Sequence, residues 1–228
     1  MIVIFILLAL AVGFWLYKII RLYASIEKYN NYWKARRTEA GDFVYVALGD
    51  SAAQAIGATH PKYGYVAKIA ASIAQQTGRK VQVINLSKTG ATSLDVITTQ
   101  LDQLKIYTPD LVTVAIGGND MRTFSRDQFS KNIEKIVDAL PAHSYIADAP
   151  YFMHGKWERS SVEMRNMVQL YAKSKAMYVV ELHDAMMRQG WRSMLNSYAA
   201  DWFHPNNRGY DIWYQTFWGK IKSTLPKV

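Results

Sequence analysis

The chain contains no cysteine among its 228 residues. Disulfides, thiolate nucleophiles and zinc–thiolate sites are excluded on that count. The compartment is not fixed by it, since such a chain suits the cytosol and an oxidising exterior equally. Acidic residues are in deficit, 18 against 27 Lys and Arg, for a formal charge of +9. No basic run interleaved with aromatics accompanies that excess, so nucleic acid is not an expected partner. No internal repeat and no low-complexity tract is present either. From Met1 to Tyr17 there is neither a charge nor a proline.

Half the residues are hydrophobic and a fifth are charged, the balance of a folded protein. The length suffices for one α/β domain with a full core plus a short extra segment.

The uncharged opening run supplies that segment. As a helix it is about 25 Å long, slightly under the ~30 Å hydrocarbon core. Ile19, Ile20 and Leu22 extend it, Lys18 and Arg21 can snorkel to headgroups, and Trp15, Tyr17 and Tyr23 fit an interfacial belt. A cleaved signal peptide would want a basic start and a small-residue cleavage site; neither is seen. A core helix apolar all round would need protein on every side. Residues 1–22 are therefore read as a transmembrane anchor helix, and residues 23–41 as a basic juxtamembrane helix and linker. Six basic residues against two acidic ones between positions 18 and 40 suit anionic headgroups. Because these charges follow the span, the positive-inside rule points the domain to the cytoplasm. Tyr29, Tyr32 and Trp33 fall near one face, expected to pack on the domain.

Behind the linker, residues 42–228 alternate strand-like and helix-like runs. The strands are expected at Phe43–Leu48, Val81–Asn85, Asp110–Ile116, Ser144–Ala147 and Met177–Glu181. The helices are expected at Tyr63–Thr77, Ser93–Tyr107, Ser125–Leu140, Trp157–Lys175 and Asn206–Thr224. Most strands are apolar throughout, as strands buried on both faces are. The repetition implies a parallel sheet of about five strands with helices on both sides. Such sheets bind ligands beyond the carboxyl ends of their strands, so chemistry belongs in loops that follow strands.

Three such loops carry it. Gly49-Asp50-Ser51 follows the first strand, Leu86-Ser87-Lys88-Thr89-Gly90 the second, and Gly117-Gly118-Asn119-Asp120 the third. Gly49 lets the chain bend sharply and presents Ser51, a candidate nucleophile that needs a base; helix capping is its ordinary alternative employment. His204 is the candidate base. None of the other histidines (His60, His143, His154, His183) has a carboxylate three residues before it and a proline after it. Asp201 in a turn can accept from one ring nitrogen and leave the other for Ser51. Otherwise Asp201 would cap the helix starting near Pro205, whose first turn Pro205 suits. His183 with Asp184 is a weaker dyad at a helix start. The Ser51 and Gly90 backbone N–H groups and the Asn119 side chain are candidate donors to an oxyanion; a turn glycine and a helix cap are their plainer readings.

Taken in order, these four pieces resemble the SGNH/GDSL hydrolase family over about Phe43 to Thr224. Ser51 falls on the family's nucleophile, Gly90 and Asn119 on its oxyanion glycine and asparagine, and Asp201-Trp202-Phe203-His204 has the D-x-x-H form of its last block. The fold implied is a flavodoxin-like three-layer α/β/α sandwich. The first block continues Ala52-Ala53-Gln54-Ala55-Ile56-Gly57, without the longer tail of some lipase members, so it does not choose among lipase, carbohydrate esterase, thioesterase and peptidase-like members.

The function so implied is a membrane-anchored serine hydrolase of carboxylic esters, working through an acyl-enzyme with no cofactor and no metal. An acyltransferase on the same triad and a non-catalytic tethered binding protein are the alternatives. Acylated lipids and acylated glycans are both possible substrates. Trp157, Trp191, Trp202, Phe203, Trp213 and Trp218, with Tyr151, Phe152 and Met153, are candidates for an acyl pocket, although for any one of them a core position is the commoner fate. Oligomeric state is not legible.

Overall fold

Five parallel strands form the centre of the molecule, in the order β2-β1-β3-β4-β5. The computed structural model describes residues 1–226. The strands are β1 Phe43–Gly49, β2 Val81–Asn85, β3 Leu111–Ala115, β4 Tyr145–Ala147 and β5 Tyr178–Val180. This is the doubly wound order, in which the chain steps outward from β1 to either edge.

Alternation within each strand divides the core in two. Tyr45, Ala47, Val83, Leu111 and Ala115 point to one face, where they meet α2 (Tyr65–Thr77) and α8 (Asn207–Ile221). Val46, Leu48, Ile84, Val112 and Val114 point to the other. There they meet α3 (Ser93–Leu104), α4 (Arg126–Ala139) and α5 (Gly155–Ser174). Strands that are apolar throughout therefore mean two buried faces, and the three layers follow. Two short helices, α6 (Leu182–Met187) and α7 (Trp191–Leu195), complete the carboxyl-terminal third.

One expected helix differs from the sequence expectation. The helix expected over Ser93–Tyr107 ends at Leu104 and is wound as three segments, Ser93–Asp95, Val96–Gln100 and Leu101–Leu104, here together α3; the middle one is π-wound. The expected anchor and juxtamembrane helices are continuous, α1 running as one helix from Ile2 to Arg37. Nothing in residues 18–37 breaks it, because that stretch holds no proline or glycine. The apolar part of α1 is exposed, with a mean hydropathy of 2.5 over eighteen residues and none of that stretch buried, although Trp15 near its end reaches Ala200 O. Its distal part is partly covered: Leu22, Tyr29 and Trp33 are buried. Trp33 Nε1 donates to Gln54 O at 3.1 Å, and Arg37 donates to Asn85 O at 2.9 Å, which sets the helix along edge strand β2.

Candidate active site

β1 ends at Gly49, whose φ of +146° suits glycine. A Cβ there would collide with the Ala115 carbonyl of β3. Gln100, in the π-wound turn, brackets the same residue: its amide donates to Gly49 O at 2.8 Å and accepts from Gly49 N at 2.8 Å. The chain beyond is thus fixed by both a neighbouring strand and a buried side chain. Ser51 does not cap a helix; residues 51–57 form a run of turns, with Ile56 N donating to Ser51 O at 3.0 Å.

Ser51 is 3% exposed, and its Oγ lies 2.8 Å from His204 Nε2. His204 Nδ1 lies 2.5 Å from Asp201 Oδ2. The other Asp201 oxygen accepts the backbone N–H groups of Phe203 and His204, each at 3.1 Å. Burial opposes ionisation of Asp201, but the hydrogen bonds and charge of His204 outweigh it and hold the carboxyl below its ordinary value. An acceptor at Nδ1 places the proton there and leaves the Nε2 lone pair toward Ser51.

The loop carrying this pair is shaped by its own backbone. Trp202 adopts the left-handed conformation (φ 56°), and Ala199 N donates to His204 O at 2.7 Å. Pro205 pairs with Tyr198 in a β-bridge. It does not open the helix: Asn206 is the cap, accepting from Arg208 N at 2.9 Å and Gly209 N at 3.1 Å. Gly57 (φ +97°) passes so near that a Cβ would strike Pro205 O and come within 2.9 Å of His204 Cβ. Only glycine lets the Ser51 turns and the His204 loop close on each other.

Asn119 is buried and donates one amide hydrogen to Ala91 O at 2.9 Å; its second is left for another acceptor. Ala91 follows Gly90, so the two candidate donors belong to one joined structure. The Gly90 loop is tied to β1 by Lys88 N donating to Gly49 O at 3.3 Å. Gln54 reaches across it, donating to Ser87 O at 2.9 Å and accepting from Thr89 Oγ1 at 2.6 Å. Gln54 and Gln100 position this site without having stood out in the sequence. Gln54 alone carried a signal, a polar residue between alanines; Gln100 follows two threonines and carried none.

Asp50 is buried beside Ser51, and burial pushes its carboxyl up to about 6, against a hydrogen bond from Ala52 N and the nearness of His204. Of the aromatic candidates, Phe152, Phe203 and Trp213 line a cavity of about 40 Å³ at Ser51, together with Met186 and Tyr198. Trp157 packs on Phe152 and Phe203 at ring distances of 5.9 and 5.8 Å. Tyr151, Met153 and Trp218 pack against the core, and Trp191 and Trp202 are largely exposed.

The weaker dyad does not form a second site. His183 Nε2 pairs with Glu158 Oε1 at 2.8 Å, and its Nδ1 stands 3.6 Å from Asp184. Glu158 also accepts Phe152 N at 2.7 Å, so the group latches the loop behind the cavity. Among the described residues, no group of three or more His, Asp or Glu could hold a metal.

The assembled atoms can carry out nucleophilic acyl chemistry: a hydroxyl, a base aimed at it, an ionised group behind the base, and candidate donors on two adjoining loops. Comparison with known proteins agrees. The profile of the GDSL-like Lipase/Acylhydrolase family matches residues 47–212. Among solved structures the chain is similar to TesA, at 23% identity and a TM-score of 0.66, covering 80% of this chain and 99% of that one. It is similar to the lipase/acylhydrolase from Enterococcus faecalis, at 20% and 0.66, covering 82% and 98%. It is also similar to Axe2, an acetylxylan esterase from Geobacillus stearothermophilus, at 18% and 0.61, covering 80% and 95%. At these identities the likeness speaks for the fold. A search of curated proteins returned no match.

Proposed function

The chain belongs to the GDSL-like lipase/acylhydrolase family and is a GDSL-type ester hydrolase; from that premise we propose that it is a membrane-anchored serine esterase with Ser51 as nucleophile. The observation that carries this reading is the unbroken line from Ser51 Oγ through His204 to Asp201, at 2.8 and 2.5 Å.

Ser51 Oγ attacks the acyl carbon while its proton passes to His204 Nε2. Asp201 stabilises the resulting imidazolium, and the Ser51 and Gly90 N–H groups with the Asn119 amide hold the oxyanion. His204 then gives its proton to the departing alcohol, leaving an acyl-Ser51 ester. Water attacks that ester, its proton goes to His204, and the acid leaves as Ser51 is reprotonated.

The narrow cavity at Ser51 favours a short acyl group, carried by a glycan or a lipid. Support for the anchor is the exposed apolar helix with aromatic and basic residues at its inner end. A signal sequence would have the same apolar character, but it would be absent from the mature protein.

A p-nitrophenyl ester series of increasing chain length tests the reading on the detergent-solubilised chain. Hydrolysis should fall as the acyl group lengthens. Ser51→Ala should lose activity on the order of 10⁶-fold, and retained activity would remove Ser51 from the mechanism. A competing alcohol acylated faster than free acid appears would make the enzyme a transferase. Carbonate extraction with intact-mass measurement tests the anchor: release from membranes, or a mass lacking α1, would refute it.

A further inference from the structure

α1 does not leave the domain at a single point. Trp15 Nε1 donates to Ala200 O at 2.9 Å, beside Asp201, and Tyr29 OH donates to Ala58 O at 2.8 Å. Between these two struts the helix bridges a cleft of about 530 Å³, within the range of small-ligand sites. The floor is formed by Gly57–Thr59 and Tyr198–Ala200, the two segments whose close approach fixes the His204 loop. The wall is the α1 face bearing Lys18, Arg21 and Lys28.

The charge in this cleft is one-sided. No Asp or Glu lines it. Among the described residues, none of the three cations makes an ion pair. Lys18 and Arg21 lie instead over the rings of Phe14 and Tyr17. Three like charges around one concavity repel, and an anion among them relieves that repulsion. The depth is also set. Trp15 and Tyr17 stand where an aromatic belt meets the headgroups, so Lys18 and Arg21 stand at headgroup level. Trp202, 56% exposed and two residues from the Trp15 contact, belongs to the same level.

We propose that the cleft between α1 and the Gly57–Thr59 and Tyr198–Ala200 segments binds the headgroup of one anionic phospholipid, its phosphate at Arg21 between the flanking charges of Lys18 and Lys28. The bound lipid wedges the anchor against the loop that carries Asp201 and His204, and so seats the mouth of the active site on the bilayer surface. This rests on the anchor reading of α1 given above.

The test is a binding measurement on the full chain carrying Ser51→Ala, in detergent, by native mass spectrometry. The probes are phosphatidylglycerol, phosphatidylcholine and inorganic phosphate. One phosphatidylglycerol should be retained per chain, and phosphatidylcholine should not. The triple change Lys18→Gln, Arg21→Gln, Lys28→Gln should weaken retention at least about tenfold. Ser25→Trp fills the cleft and keeps its charge, and it should abolish retention. If Ser25→Trp retains the lipid, the attraction is diffuse charge along the helix and the cleft is not the site. Equal retention of the two lipids overturns the proposal, and so does displacement of phosphatidylglycerol by equimolar phosphate, which would indicate a free-anion site. Hydrolysis is not the readout, so a failure of the esterase reading leaves this result intact. A failure of the anchor reading appears separately in carbonate extraction.

Discussion

His204 is held in one tautomer by a carboxylate that is itself held by two backbone N–H groups. Asp201→Asn keeps the shape but can donate to Nδ1, which turns the ring proton toward Ser51. The variant should fold normally and lose about 10⁴-fold in kcat at neutral pH; a loss under tenfold would show that the ring needs no such partner. Removing the amide donor by Asn119→Ala should cost about 100- to 1000-fold in kcat with KM little changed, and an unchanged kcat would take Asn119 out of the oxyanion site. Asp50 gives a pH signature instead. Its folded value of about 6 stands above the ordinary 3.8. Between those values the folded protein keeps a proton that the unfolded chain has released, so this group's contribution to stability falls as pH rises through the window and is level above it. The loss is about 3 kcal/mol. Asp50→Asn should therefore gain on the natural chain from pH 4 to 6 in urea unfolding, while Asp201 and the other carboxylates cancel in the difference. A difference constant with pH would contradict the burial argument. Ser51, Gly90 and Asn119 could be singled out as candidates because each lies in a short contiguous motif after a strand, and Asp201 and His204 because they stand three apart in one loop, that between α7 and α8. The burial of Asp50 was not legible, because it depends on Gly118 and on side chains distant in sequence.

The π-wound turn in α3 shows why one helix broke the pattern. The run Ser93–Tyr107 has helical periodicity, but the extra residue in the turn brings Gln100 round to face Gly49, as such insertions often do near functional sites. Periodicity reports which face is apolar; it does not report a local change of winding caused by a partner fifty-one residues away. Gln100→Leu would leave the Gly49 N–H buried and unpaired and its C=O with Lys88 N alone, at a cost of about 1–3 kcal/mol for the orphaned group. It would also free the turn that presents Ser51. We expect a lower midpoint in urea together with a fall in kcat that exceeds any rise in KM. A destabilised variant with wild-type kcat would mean that Gly49 is held well enough by β3 alone. The strands were easier to read, since both of their faces meet helices and the pattern needs no distant partner. Composition divides α1 at residue 22 into an apolar and a basic part, and its backbone follows local propensity and continues through both to Arg37.

The anchor helix and the catalytic layers are joined by more than a tether. Trp33 and Tyr29 are 2% and 4% exposed, and they donate to Gln54 O and Ala58 O. Gln54 in turn holds Ser87 and Thr89, the residues leading into Gly90. A path of direct contacts therefore runs from α1 to a candidate oxyanion donor. Sequence showed Tyr29, Tyr32 and Trp33 on one face but not which surface they meet, because the receiving groups are backbone carbonyls, to which any residue contributes alike. We propose that the part of α1 from Leu22 onward is a structural element of the catalytic unit. A chain beginning at Leu22 should then melt close to the full-length protein and hydrolyse a soluble short-chain ester at a similar kcat. One beginning at Asp42 loses two buried aromatics, each worth about 3–5 kcal/mol by the usual cost of truncating one, and should melt on the order of 10 °C lower. Its kcat should fall as well, because the Gln54 clamp on the Gly90 loop loses its backing. Equal melting and equal kcat for the two fragments would leave α1 a leash, and the path through Gln54 would carry nothing.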